Sequence, residues 1–476
     1  MTDAAFLRCI QPDCAATYEL SAEDPFCRSC GGLLDVAYDW NRLPVPGSMH
    51  YFATRWATRQ EPLDHSGVWR FRELLPFAVT EELVTIGEGQ TLLQSPDVRA
   101  LGLPLEPGRL HLQYEGLNPS GSFKDNGMAA AFTMARKLGR QRVACASTGN
   151  TSASMALYAA LTRIADDRPM QAVVFIGEGK IAFGKLAQAL DHGARTVQIA
   201  GDFDACMRRV REASQRLGLY IMNSINPFRL EGQKTIMYRV LEGLGWDVPD
   251  WIVVPGGNLG NTSAFGKAFM ELRELGLVER PPRLAVVNAV GANTFCELVD
   301  RRGLRWDGGA WNRAIVDACY TEGERRAGEK EIALPHGRTV ASAIDITRPV
   351  NLPKALRSLE ALDGVVCEVT DEEILEEKAR IGRCGLGCEP ASAASLAGLR
   401  QLLARGVIGR EQRVVCILTG HALKDPDVTV GYHTGKRTTD EQSKPASRPA
   451  VLANGPVQVA DDLESICRAI ESLPWK

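Results

Sequence analysis

No stretch of this 476-residue sequence is apolar for long enough to cross a membrane. The longest runs, such as 172–176 and 251–254, fall far short of the roughly 18 residues a spanning helix needs. The start, MTDAAFLRCIQPD, lacks the cationic and apolar regions of a secretory signal, so none is expected. Net charge is nearly absent, −3 from 55 basic and 58 acidic side chains, which argues against a nucleic-acid or membrane-surface binder. There is no internal repeat. A Gly-Lys-Ser/Thr phosphate loop is missing, which removes the P-loop nucleotide hydrolases, and so is the G-x-G-x-x-G dinucleotide fingerprint. The 13 cysteines are odd in number and mostly scattered, which excludes a disulfide framework and fits a reduced, cytosolic chain.

What is present is length, glycine and alternation. The length allows about three domains at roughly 150 residues each, with a core that needs no covalent staple. Short apolar runs at 142–147, 172–176, 196–200, 220–222, 251–254 and 284–290 read as strands. Helical patterns at 151–163, 181–192, 203–217, 227–244 and 262–275 alternate with them. Continuous apolar strands indicate a parallel sheet buried on both faces, and right-handed crossovers put helices on both sides. The expected fold is therefore a doubly wound, three-layer α/β structure. Four regions follow: a cysteine-bearing segment 1–40, a less regular extension 41–107, a catalytic region 108–430, and a linker and tail 431–476. The tail is expected to carry a helix over 462–473 that packs back.

Cys9 and Cys14 are four residues apart, Cys27 and Cys30 two, with twelve between the pairs. Four thiolates can enclose Zn²⁺ tetrahedrally, which leaves no open position and makes such a site structural. The alternative is four free thiols.

The most informative stretch is NPSGSFKDNGM (118–128). Met128, Ala131, Phe132, Ala135 and Leu138 recur with helical period, so Lys124 falls at a helix start. The positive end of the helix dipole there favours the neutral amine, which can condense with an aldehyde. A second motif, Gly256-Gly257-Asn258-Leu259-Gly260-Asn261, links a strand to a helix and suits a small phosphate. Glycine for packing alone is the plainer reading of that turn, as a surface lysine is of Lys124. Together, a phosphate cradle and an aldehyde-accepting lysine are what pyridoxal 5′-phosphate requires.

These residues resemble the threonine synthases, fold-type II pyridoxal-phosphate enzymes. The similarity also takes in CASTGNTSAS (145–154), NSINPFRLEGQKT (223–235), TVASAIDITRPVN (339–351), CEPASAA (388–394) and LTGHALKDPD (418–427). The segment ending in CGGLLDV, here a zinc-ribbon-like one, and the tail ANGPVQV look like the plant-like branch. The resemblance implies two lobes, the smaller about 140–222, and a homodimer. It implies that Lys124 carries the cofactor and moves protons, and that Asn150 meets its 3′-oxygen. By the same likeness, Gly256, Gly257, Asn258, Leu259 and Gly260 cradle its phosphate, and Thr419 faces the ring nitrogen as a neutral partner. Ser147, Thr148, Thr151, Ser224 and Arg229 would contact a phosphorylated amino-acid substrate. The implied reaction turns O-phospho-L-homoserine and water into L-threonine and phosphate by γ-elimination and β-addition. The alternatives are a cysteate synthase-like replacement on O-phosphoserine and a serine or threonine dehydratase. The chain departs from the family at Asp125-Asn126 and at Thr347-Arg348-Pro349, where Arg348 replaces a small or polar residue.

Overall fold

The computed structural model describes residues 4–22, 24–147, 149–164, 167–177, 183–199, 210, 212–214, 216–328, 339–435 and 450–472. Its strands are β1 (Ala5–Cys9), β2 (Thr17–Tyr18), β3 (Leu34–Tyr38), β4 (Leu92–Gln94), β5 (Leu110–Tyr114), β6 (Arg142–Ala146) and β7 (Gln171–Gly177). There follow β8 (Arg195–Ile199), β9 (Tyr220–Ile221), β10 (Trp251–Pro255), β11 (Arg283–Ala289), β12 (Val365–Val369) and β13 (Val414–Leu418). The longer helices are α1 (Lys124–Lys137), α2 (Asn150–Leu161), α3 (Phe183–Asp191), α4 (Pro227–Gly243), α5 (Gly260–Glu274) and α6 (Arg313–Gly328). The remainder are α7 (Leu352–Ala361), α8 (Asp371–Arg383), α9 (Pro390–Ala404), α10 (Pro426–Thr434) and α11 (Leu463–Ser472). No described helix is long and apolar enough to cross a membrane.

The larger sheet has the order β12-β11-β10-β13-β5-β4, all parallel except β4 against β5. Its central strands show why uninterrupted apolar runs were needed. In β10, Ile252 and Val254 pack with Phe265 of α5 and Leu356 of α7, while Trp251 and Val253 pack with Ala394 and Leu396 of α9. Period-two alternation thus feeds two helical layers from one five-residue strand, and each face needs its own apolar set. The smaller sheet, β8-β7-β6-β9, is wholly parallel and is assembled from 142–221. The predicted helix 203–217 lies mostly outside the described residues.

The extension 41–107 supplies edge strand β4, and its Phe52 and Phe71 stack edge-on in a chain that ends on Tyr238 of α4. The tail does form α11, but that helix buries none of its residues, so it does not pack back. Contact with the body comes earlier, where Arg383 donates to the Leu452 carbonyl and the Asn454 amide donates to His433 Nδ1.

The N-terminal strands form an antiparallel sheet, β2-β1-β3, docked by buried charge. Asp35 of β3 meets Lys354 Nζ at 2.7 Å and also pairs with Arg357, both on α7. Burial alone would raise the Asp35 carboxyl, but Lys354 and Arg357 outweigh it and hold the group well below the usual carboxylate range. Tyr38 Oη donates to Glu231 Oε2 of α4 at 2.6 Å. Glu231 in turn pairs with Lys234 and, with Lys267 and Glu271 of α5, completes a balanced buried quartet. Balance matters, because an unpaired buried charge typically costs about 3–5 kcal/mol.

Candidate active site

Two glycines fix the geometry around Lys124. A Cβ on Gly127 would stand 2.9 Å from the Arg229 carbonyl oxygen, and one on Gly232 would overlap the Asn126 carbonyl. Helices α1 and α4 therefore cross at backbone contact, which brings Arg229, near the start of α4, against Lys124, the first residue of α1. The loop before Lys124 is stitched to the end of β13. The Phe123 amide donates to the Thr419 carbonyl at 2.9 Å, and the His421 amide donates to the Gly121 carbonyl at 2.9 Å.

Beneath the loop, Asp125 accepts from the Ser120 amide at 2.7 Å and from Ser154 Oγ of α2. Burial pushes its carboxyl up to about 6. Asn126 donates to Glu115 Oε2 at 2.7 Å, and Glu115 Oε1 is held by Arg239 at 2.7 Å. Both departures after the lysine thus have structural partners. Arg348, the other departure, lies over the Tyr320 ring, 5.0 Å from its centroid.

The Lys124 ammonium is pushed down to about 7, first by burial and then by the nearby Arg229, with Glu389 opposing. The sequence placed this effect on the helix end; burial and a second cation act in the same direction. Arg229 is itself 1% exposed and lowered to about 10 by burial. Its Nη1 donates to the Met222 carbonyl at 3.0 Å, but its buried Nε has no partner. A cation so placed is incomplete, since burying a donor unpaired costs roughly 1–3 kcal/mol or more.

Asn150 opens α2, whose N-cap is Gly149, so it is not itself the cap. Its Nδ2 donates to Glu389 Oε2 at 2.8 Å, and Thr419 Oγ1 donates to Glu389 Oε1 at 2.9 Å. The two residues are thereby joined by a buried carboxylate that the sequence reading passed over, although it lies within CEPASAA. Burial and the nearby Asp425 raise the Glu389 carboxyl, against Asn150, Thr419 and Lys124. Ser147 Oγ accepts from the Gly149 amide at 3.1 Å, and the Ser224 carbonyl accepts from Asn351 Nδ2 at 3.1 Å. Thr151 lies half-buried in the first turn of α2; Thr148 is outside the described residues.

The glycine loop joins β10 to α5. Part of its glycine content does serve packing: a Cβ on Gly256 would strike Val286 at 2.7 Å, and one on Gly257 would stand 3.0 Å from Ile344 Cα. Gly260 has ordinary room beside Gln233. Asn258 Oδ1 faces the Val350 amide at 3.5 Å. Leu259 is held at φ +61°, in the left-handed region, at a cost of about 1–2 kcal/mol. The turn opens α5 at Gly260, and Thr262 in its first turn has a buried Oγ1 with no partner. Thr262 is a second residue missed from the sequence. Unpaired helix-end amides and a spare hydroxyl suit an anion.

Cys9, Cys14, Cys27 and Cys30 belong to the N-terminal sheet and its turns, apart from these groups. Their four Sγ atoms all lie within 4.8 Å of one another. Gly31, at φ +71°, takes the tight turn behind Cys30.

Comparison with known proteins places the chain. The family model described as pyridoxal-phosphate dependent enzyme matches residues 84–420. The threonine synthase of Methanocaldococcus jannaschii is 40% identical over 426 residues, 89% of this chain and 94% of that one. Threonine synthase 2, chloroplastic, of Arabidopsis thaliana is 33% identical over 96% of this chain and 82% of its own. Among solved structures, the processed form of threonine deaminase isoform 2 from Solanum lycopersicum matches with a TM-score of 0.54. It covers 76% of this chain and 92% of that one at 16% identity, a likeness of fold alone. By family model and by relatives across nearly its whole length, the chain belongs to the threonine synthase family of pyridoxal-phosphate-dependent enzymes.

Proposed function

We propose that this chain converts O-phospho-L-homoserine and water into L-threonine and phosphate. The observation that carries this reading is Arg229: a fully buried guanidinium beside Lys124 with an unpaired Nε, fitted to receive a substrate anion. A dehydratase acting on unphosphorylated serine or threonine has no use for that cation. Incubating the protein with phosphohomoserine, phosphoserine, serine and threonine tests it. Phosphate release with threonine formation is expected from the first alone; turnover of any other in its place contradicts the assignment.

The residues fit pyridoxal phosphate. Gly256, Gly257, Asn258, Leu259 and Gly260 would hold its phosphate through loop amides, joined by the unpaired hydroxyl of Thr262. Asn150 has a second Nδ2 hydrogen for the 3′-oxygen, and Thr419 would face the ring nitrogen. When bound, the group supplies an aldehyde that links to amines and a ring that withdraws electrons from the adjoining carbon. Lys124 would hold the cofactor, and its neutral Nζ would take the proton from the substrate α-carbon. Arg229 binds the substrate phosphate, which leaves from Cγ with the bridging oxygen. Ser147, Thr148, Thr151 and Ser224 orient the remaining substrate atoms and limit the entry of water until Cβ can accept it.

A Lys124 pKa near 7 fixes the pH dependence of cofactor capture, because only the neutral amine attacks the aldehyde. Mixed rapidly with cofactor, apoprotein captures it faster as pH rises through about 7, and the rate levels above that. An inflection near the ordinary lysine value, about 10.4, contradicts this.

The four cysteines would hold one structural Zn²⁺. Thiolates 2.3 Å from a tetrahedral metal stand about 3.8 Å apart; Cys9 and Cys30 are 3.4 Å apart and Cys14 and Cys27 3.6 Å. Replacing Cys27 and Cys30 with serine is expected to remove one equivalent of zinc and lower the melting temperature by several degrees, leaving the cofactor absorbance in place. Unchanged metal content contradicts the site. We further propose a cytosolic homodimer, on the family resemblance, which sedimentation of the purified protein tests.

A further inference from the structure

The residue that opens α7 does not serve its own helix. Asn351 is the N-cap of α7, where an asparagine oxygen ordinarily accepts from a first-turn amide. Here Oδ1 makes no such bond and is buried without a partner, while Nδ2 donates to the Ser224 carbonyl at 3.1 Å. The residue is fully buried, so the open acceptor is a cost to stability. What it does for Ser224 has to be weighed against that cost.

Ser224 and Ile225 are the central residues of a turn, closed by the Asn226 amide donating to the Asn223 carbonyl at 3.0 Å. The approach to the turn is pinned. Asn223 exchanges two bonds of 3.0 Å with the main chain of Ala146 in β6, and Arg229 Nη1 donates to the Met222 carbonyl. The peptide between Ser224 and Ile225 takes no part in closing the turn, and its two orientations distinguish type I from type II turns. A trans peptide is planar, so its N–H points opposite to its C=O. By holding the Ser224 carbonyl, Asn351 aims the Ile225 N–H away from itself, where it has no hydrogen-bond partner among the described residues. The flipped orientation would need a positive φ at Ile225, which it does not have and a β-branched residue resists.

We infer that the Ile225 main-chain N–H donates to the substrate phosphate, with Asn351 as the positioning residue that aims it. The inference rests on the phosphorylated substrate proposed above. Ser224 shares the turn, and Arg229 lies in the first turn of α4, which the loop leads into. A phosphate offers three acceptor oxygens, more than one guanidinium satisfies, and turn amides are suited to anions. The neighbouring Val350 amide faces Asn258 Oδ1 of the glycine loop at 3.5 Å. Residues 350 and 351 thus touch both the loop assigned to the cofactor phosphate and the turn assigned to the substrate phosphate.

The test uses the full chain loaded with pyridoxal phosphate, labelled with ¹⁵N at isoleucine and titrated with inorganic phosphate. The cofactor then fills the glycine loop, so added phosphate reports the substrate site. The Ile225 amide signal, identified by its loss in Ile225→Val, is expected to move downfield, half-saturating at the inhibition constant of phosphate against O-phospho-L-homoserine. A signal unmoved by saturating, competitive phosphate overturns the inference without a further variant. Asn351→Ala is expected to remove most of the movement and to raise KM and the phosphate inhibition constant together by about 10-fold, with kcat little changed. A lower melting temperature with KM and the Ile225 signal behaving as before would make Asn351 structural and overturn its role. If that variant fails to fold, Asn351→Asp, of the same shape but unable to donate, serves in its place with the same expected changes. Phosphate that does not compete with phosphohomoserine contradicts the substrate reading itself, and the inference falls with it, so the two failures are distinguishable.

Discussion

Replacing Lys124 with alanine is expected to lower turnover more than about 10³-fold, since one side chain supplies both the covalent attachment and the proton transfer. Borohydride, which traps the link between lysine and cofactor in the unmodified protein, should then fix no cofactor to the chain. Folding should survive. Lys124 is charged only against a burial penalty and its neighbour Arg229, so its removal relieves repulsion in the apoprotein. Retained turnover, or cofactor still fixed to the protein at another lysine, contradicts the assigned role.

Arg229→Met separates binding from stability. Losing a buried partner for a phosphate typically costs about 2–5 kcal/mol, so KM for the phosphorylated substrate should rise about 10²–10³-fold. Cofactor absorbance should be unchanged. The apoprotein should be no less stable than before, because a side chain of similar volume replaces a buried charge whose Nε lacks a partner. A matched fall in melting temperature with unchanged KM would make Arg229 a structural residue and remove the main support for a phosphorylated substrate.

Much of this site could be read from local sequence. Lys124 stood out because a lysine at a helix start opposes the dipole, and the glycine loop because a strand, two glycines and a helix adjoin. The layering was legible because WIVVP is apolar at every position, which only a strand covered on both faces tolerates; the equally apolar VVCIL of β13 was passed over. The remainder depended on distance along the chain. Glu389 meets Asn150 across 239 residues, and nothing near either position announces the pair. Gly127 and Gly232 resemble ordinary helix glycines until α1 and α4 cross. Thr262 was read as the residue where a helix begins, and only its buried, unpaired oxygen marks it out. The tail misled for a different reason. The amphipathic pattern of α11 states that one face seeks cover, not that this chain provides it, and Leu463 is 75% exposed.

The central claim is a carbon–oxygen bond broken at Cγ and another made at Cβ. Turnover of O-phospho-L-homoserine in ¹⁸O-water, followed by mass spectrometry of both products, tests that directly. The expected result is threonine with ¹⁸O in its hydroxyl and phosphate that keeps its original four oxygens. Phosphate carrying ¹⁸O beside unlabelled homoserine would show cleavage at phosphorus, and would contradict the account.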